Sequence, residues 1–161
     1  DQLKTQISLN LIAVRLQNGN VRDAHALIRE VEQNRASLSD TQERELRRLR
    51  AWSALIVGRT TEALNLIGSL LVDVDPNAST SADRPIHFVA YRIFREAGRR
   101  ADALIHLEAV RRIDAADAQI VSSNRAALLA AQFQFEAQNT RIAELKAEGL
   151  EREVSFQRTV T

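Results

Sequence analysis

Three stretches of the chain share one plan: GNVRDAHALIREV at residues 19–31, GRTTEALNLIGSL at 58–70 and GRRADALIHLEAV at 98–110. Each opens on a glycine and places an alanine five residues later: Gly19 and Ala24, Gly58 and Ala63, Gly98 and Ala103. Apolar residues follow at helical spacing, as Leu27, Ile28 and Val31, then Leu66, Ile67 and Leu70, then Ile105, Leu107 and Val110. The period is 39 to 40 residues. A unit of helix, glycine turn and helix, repeated at that interval, predicts an α-solenoid. The glycine permits a minimal loop between antiparallel helices, and the small alanine lets the second helix approach the first closely. An ordinary helical bundle with glycine in its short loops is the alternative.

The rest of the chain is punctuated to match. A first helix is expected over 3–17, with Leu3, Ile7, Leu11 and Val14 on its inward face. Asn20 is placed to cap a second helix over 21–36, with Ala24, Leu27, Ile28 and Val31 inward. Ser39 and Gln42 read as a capping box that starts a third helix over 40–57. Thr60 or Thr61 is expected to cap a fourth helix over 61–73. A turn-rich connection over 74–84 leads to Pro85, which suits the first position of a fifth helix over 85–97. A sixth helix is expected over 100–113, with Ala103, Leu104, Leu107 and Val110 inward, and a separate long helix from 117 to at least 148. No segment alternates with period two, so no sheet is predicted. The expected fold is all-α: three helix pairs over 1–116 and a C-terminal capping and linker helix over 117–161.

Composition excludes several function classes. The 161 residues carry 22 Lys and Arg against 21 Asp and Glu, and neither half is strongly basic, so a nucleic-acid partner is not expected. The absence of Cys excludes thiolate zinc sites, disulfides and thiol nucleophiles. No apolar run is long enough for membrane insertion within this chain. The three histidines, His25, His87 and His106, fall on different helices at no metal-ligand spacing. No phosphate-binding glycine loop or nucleophile motif occurs. The chain therefore reads as non-catalytic, with no cofactor and no metal.

The units resemble tetratricopeptide repeats. The match lies in the second half of each unit, at Gly19, Ala24, Ile28 and Val31, at Gly58, Ala63, Ile67 and Leu70, and at Gly98, Ala103, Leu107 and Val110. The first helices depart from the family pattern: Ser8, Arg47 and His87 stand where it has a large aromatic. Residues 125–148, RAALLAAQFQFEAQNTRIAELKAE, carry a second resemblance. Leu129, Phe133, Ile142, Leu145 and Glu148 have the spacing of the segment that joins tetratricopeptide-type sensor regions to the catalytic parts of bacterial receptor histidine kinases and diguanylate cyclases.

These resemblances imply an input domain of a bacterial signalling receptor, with its output domain outside this chain. The membrane side stays open between periplasm and cytoplasm, the former being expected. A stand-alone peptide-binding adaptor is the alternative. Taking the repeat register from the glycines, a concave face would gather Leu9, Ala13, Arg48, Trp52, Leu55, Phe88, Arg92 and Arg95 against a protein or peptide partner. The cluster Arg44, Arg47, Arg48 and Arg50 reads as a solvated face, or as a site for an acidic partner. In the C-terminal helix, an apolar face over 117–135 is expected to pack on the sixth helix. Phe133, Phe135, Ile142 and Leu145 are the candidates for a homodimer contact. The pair Ile142 and Leu145 and the pair Leu150 and Val154 do not fall on one heptad seam.

Overall fold

The computed structural model describes the backbone of residues 2–160 and the side chains of 2–158. Among the described residues every regular element is helical: α1 (Gln2–Gln17), α2 (Val21–Gln33), α3 (Asp40–Ile56), α4 (Thr60–Leu71), α5 (Arg84–Glu96) and α6 (Arg100–Val160), with one 3-10 turn at Arg35–Ser37. The chain divides into two compact units between Ala115 and Ala116.

One turn recurs three times in the first unit. Gly19, Gly58 and Gly98 have φ of 73°, 79° and 73°, the left-handed region that glycine enters without a Cβ clash. At the first, the Gly19 amide donates to the Leu16 carbonyl and the Asn20 amide to the Arg15 carbonyl. The second repeats this from Gly58 to Leu55 and from Arg59 to Ala54, and the third from Gly98 to Arg95 and from Arg99 to Phe94. This is the Schellman pattern, which satisfies carbonyls that a helix end would otherwise leave bare. Ala24, Ala63 and Ala103 are buried just past these turns. Helix α1 packs on α2 and α3, α3 on α4 and α5, and α4 on α5.

The caps follow local chemistry. Ser39 Oγ accepts from the Gln42 amide while Gln42 Oε1 accepts from the Ser39 amide, which completes the capping box of α3. Asn20 accepts from the Asp23 amide at the start of α2. Helix α4 is not capped by Thr60 or Thr61. The Schellman turn makes Arg59 the N-cap, and that residue offers no side-chain acceptor; it pairs with Glu62 at 2.9 Å instead. Helix α2 stops at Gln33 rather than 36, and a 3-10 turn takes up the remainder.

The core holds Leu9, Ile12 and Leu16 from α1, Leu46, Leu49 and Trp52 from α3, Ile67 from α4, and Val89 and Ile93 from α5. The inward face expected for α1 is thereby corrected. Leu3, Ile7, Leu11 and Val14 are exposed, Leu3 at 75%. This helix carries two apolar stripes, and periodicity identifies stripes without choosing which one meets the neighbouring helices. Leu104 is likewise exposed, its place being taken by His106, Ala109 and Ile113.

The expected break at Asp114–Asp117 does not occur, and α6 runs unbroken through it and through Gly149. The stretch Asp114-Ala-Ala-Asp117 contains neither Gly nor Pro, and alanine has the highest helix propensity. The face formed by Ile120, Leu128, Leu129, Phe133 and Phe135 cannot fold back on the sixth helix, because it belongs to the same helix. In the second unit, residues 118–158 are all exposed. No helix among the described residues is long and apolar enough to cross a membrane.

Candidate functional site

A cleft of about 660 Å³ opens in the first unit. Its lining includes Gln6 of α1, Arg44, Glu45 and Arg48 of α3, and Pro85 and Ile86 of α5. The connection between α4 and α5 closes one wall through Asp73, Asp75, Ser79 and Asp83. The wall is ordered by its own polar groups: Asp75 Oδ1 accepts from the Asn77 amide, and Asp83 Oδ2 from the Thr80 amide. Arg48 is buried and gives two hydrogen bonds to the Glu45 carboxylate, that from Nε at 2.9 Å. Its charge is thus already matched, which removes it as a free anchor for an acidic partner. Arg47 pairs with Glu43 and Arg50 with Glu32, while Arg44 makes no ion pair with a described residue.

Behind Ser79 lies a polar chain that sequence patterning does not reveal. Ser79 Oγ donates to the Asp75 carbonyl at 2.6 Å. A carbonyl can only accept, so the hydroxyl proton is committed there. His87 Nε2, 2.7 Å from Ser79 Oγ, must then carry a proton and donate to it. In neutral His87 this leaves Nδ1 as an acceptor. His106 Nδ1, 2.8 Å away, supplies the proton. The tautomers of both rings follow from one carbonyl. The rings stack with centroids 5.1 Å apart, and Phe94 stacks on His106 at 5.4 Å.

Burial disfavours a charge on either ring. It lowers the His87 pKa, with Arg112 lowering it further and Asp83 opposing. His106 falls to about 4, through burial first and then the neighbouring His87, with Asp102 opposing. Both histidines are therefore neutral near pH 7. Arg112 of α6 also grips the same wall, since its Nη2 donates to the Pro76 and Ser79 carbonyls at 3.0 and 2.8 Å. Arg84 forms a bidentate pair with Asp114, which holds the Asp114 carboxyl below the usual range. The cleft wall is thus fastened to α6 by Ser79–His87–His106 and by Arg112.

The concave-face residues expected from sequence do not form one surface. Leu9 is fully buried and Trp52 is 9% exposed, so both are core side chains. Ala13 and Leu55 are half-buried against the core. Phe88, Arg92 and Arg95 lie on α5 outside the cleft lining. The Arg92 guanidinium stands 5.9 Å from the Phe88 ring centroid, and its buried Nε has no hydrogen-bond partner. Arg95 is exposed, lies over Tyr91 and bonds to Glu96. His25 bonds to Ser53, joining α2 to α3. Of the expected dimer residues, Phe133, Phe135, Ile142 and Leu145 are all exposed on α6, between 50% and 69%. Among the described residues no cluster of three His, Asp or Glu could hold a metal ion.

Compared with protein-family profiles, curated proteins and solved structures, the chain matches none.

Proposed function

We propose that this chain is a non-catalytic protein-interaction and input domain of a signalling receptor. In this reading the helix pairs are divergent tetratricopeptide-like repeats stacked as an α-solenoid. A partner acts on them, and α6 carries the change in packing towards an output domain outside the chain. The observation that carries the reading is α6 itself. One uninterrupted helix supplies Ala103, His106, Val110 and Ile113 to the packing of the first unit and goes on for 45 further residues, 116–160, as an arm whose residues 118–158 are all exposed. The Ser79–His87–His106 chain adds a route, because a group lining the cleft is hydrogen-bonded through one ring to a side chain of α6.

An arm with large exposed apolar side chains calls for a partner helix, and a second copy is the simplest one. The test is the solution mass by light scattering of residues 1–161 and of residues 1–139. A dimer that becomes a monomer on truncation supports the arm as the association element. A monomer in both cases moves the function to the cleft, which is the observation favouring a stand-alone peptide-binding adaptor.

A further inference from the structure

The unbroken course of α6 keeps one helical phase from residue 121 to 156. With that phase fixed, Val121, Leu128, Phe135, Ile142, Gly149 and Phe156 recur at steps of seven. Asn124, Ala131, Gln138, Leu145 and Arg152 fall three residues after the first five of these. Together they form the a and d positions of a heptad seam. The seam runs through Ile142 and Leu145 and passes Leu150 and Val154 by. Phe133 lies on the opposite side of the helix from Phe135. The large seam side chains are unpartnered: Leu128, Phe135, Ile142, Leu145 and Phe156 are each 50% exposed or more.

Resting on the reading of α6 as the association element, we infer that its occupant is a second copy of the same arm, running antiparallel and centred between Ala143 and Glu144. Four complementarities select this arrangement. In an antiparallel pair a positions face d positions, so Ile142 meets the partner's Leu145 and the bulky Phe156 meets the partner's small Ala131. Arg152 meets the partner's Phe135, an arginine against an aromatic face. On the seam's flank, Arg141, whose pair with Glu144 of its own helix at 3.2 Å is exposed and leaves the guanidinium open to a second carboxylate, meets the partner's Glu148, and symmetry makes that attraction twice.

The alternatives are frustrated. A parallel in-register pair stacks Arg152 on the partner's Arg152 in the seam and leaves a gap at paired Gly149. It also sets Arg141 against the partner's Lys146 and Glu148 against the partner's Glu153. Sliding the antiparallel pair by one heptad brings Arg141 onto the partner's Arg141 in one direction, and Glu148 onto the partner's Glu148 in the other. The overlap covers residues 131–156, about 39 Å of helix at the usual rise.

Because the chain has no cysteine, single introduced thiols report pairing cleanly. Ala131→Cys and Phe156→Cys full-length chains are oxidised mildly, each alone and as an equimolar mixture. The mixture is expected to give a disulfide-linked heterodimer, and neither variant a linked dimer by itself. In parallel, Arg141→Glu is expected to weaken dimerisation about tenfold, and Arg141→Glu with Glu148→Arg to restore it. In a parallel pair Arg141→Glu would strengthen association, since the new carboxylate meets Lys146. Self-linking of either cysteine variant, or tighter dimers for Arg141→Glu, overturns the orientation while leaving the arm as the association element. A dimer in which no combination links overturns the register. A full chain that is monomeric by light scattering overturns both this inference and the reading beneath it.

Discussion

Acidification from pH 7 to 4.5 is expected to loosen the first unit through one side chain. His106 is 7% exposed and titrates at about 4 in the folded chain, against 6.5 for an unperturbed histidine. Above pH 6.5 both the folded and the unfolded chain hold it neutral, so it contributes no pH dependence there. Below 6.5 the unfolded chain takes up a proton that the folded chain refuses, and the folded state loses stability until the pH reaches the folded pKa. Each unit of difference is worth about 1.4 kcal/mol, so the loss is roughly 2 kcal/mol at pH 5 and approaches 3 kcal/mol near pH 4. The lowered pKa of His87 acts in the same direction.

The window is informative because the carboxylates held low by arginine, Glu43 and Asp114, begin to lose their contribution only near their ordinary values of 4.5 and 3.8, at or below its lower end. Trp52, the single tryptophan, is buried in the first unit and reports its unfolding selectively. Urea titrations followed by its fluorescence at pH 7, 6, 5 and 4.5 measure the slope. His106→Leu, which cannot titrate, should flatten that slope even though losing the bond to His87 lowers stability at pH 7. An equal slope in parent and variant, or no loss of stability between pH 6.5 and 4.5, would refute the assignment of a buried neutral pair.

Four further outcomes are expected. Ser39→Ala removes the capping box of α3 and should cost about 1 kcal/mol in the same urea assay. Gly58→Ala should cost about 1 to 2 kcal/mol through its φ of 79° alone, because a Cβ there would meet nothing within 4 Å. Gly68→Ala, within α4 and equally open, should instead stabilise by up to about 1 kcal/mol. Arg112→Ala releases the Pro76 and Ser79 carbonyls and should speed amide hydrogen exchange of residues 72–83 while leaving α2 unchanged.

Legibility in the sequence followed the range of the interaction. Gly19, Gly58 and Gly98 act on the backbone beside them, and the turns they make were readable. So were the Asn20 cap and the box of Ser39 with Gln42, which close within a few residues. The face of α1 was not readable, because Leu3, Ile7, Leu11 and Val14 compete with Leu9, Ile12 and Leu16 at the same helical spacing, and only the neighbouring helices decide between them. The continuity of α6 is hidden by Asp114 and Asp117, which resemble a break, although the two alanines between them favour helix. The histidine pair was invisible for a different reason. His87 and His106 are 19 residues apart on two helices, and their partner Ser79 sits in a connection without periodicity. The available signal was only that two titratable rings occupy inward positions of α5 and α6.

The same three groups bear on how a cleft could act on a helix. A polar chain buried beside Phe94 has few states, since each member's proton is fixed by the next: the Asp75 carbonyl orients Ser79, Ser79 orients His87, and His87 selects the tautomer of His106. A ligand that displaced Ser79 from the cleft wall would leave His87 Nε2 without an acceptor in a buried place, which costs about 1 to 3 kcal/mol. A shift of His87 and, with it, of His106 and α6 would relieve that cost. Ser79→Ala removes the acceptor without touching either ring and imitates that displacement. If the chain couples the wall to the helix, Ser79→Ala should alter amide exchange in α6 around His106 as well as in residues 72–83. A change confined to the connection would mean that the wall and α6 move independently, and that Arg112 and the Arg84–Asp114 pair merely anchor a loop.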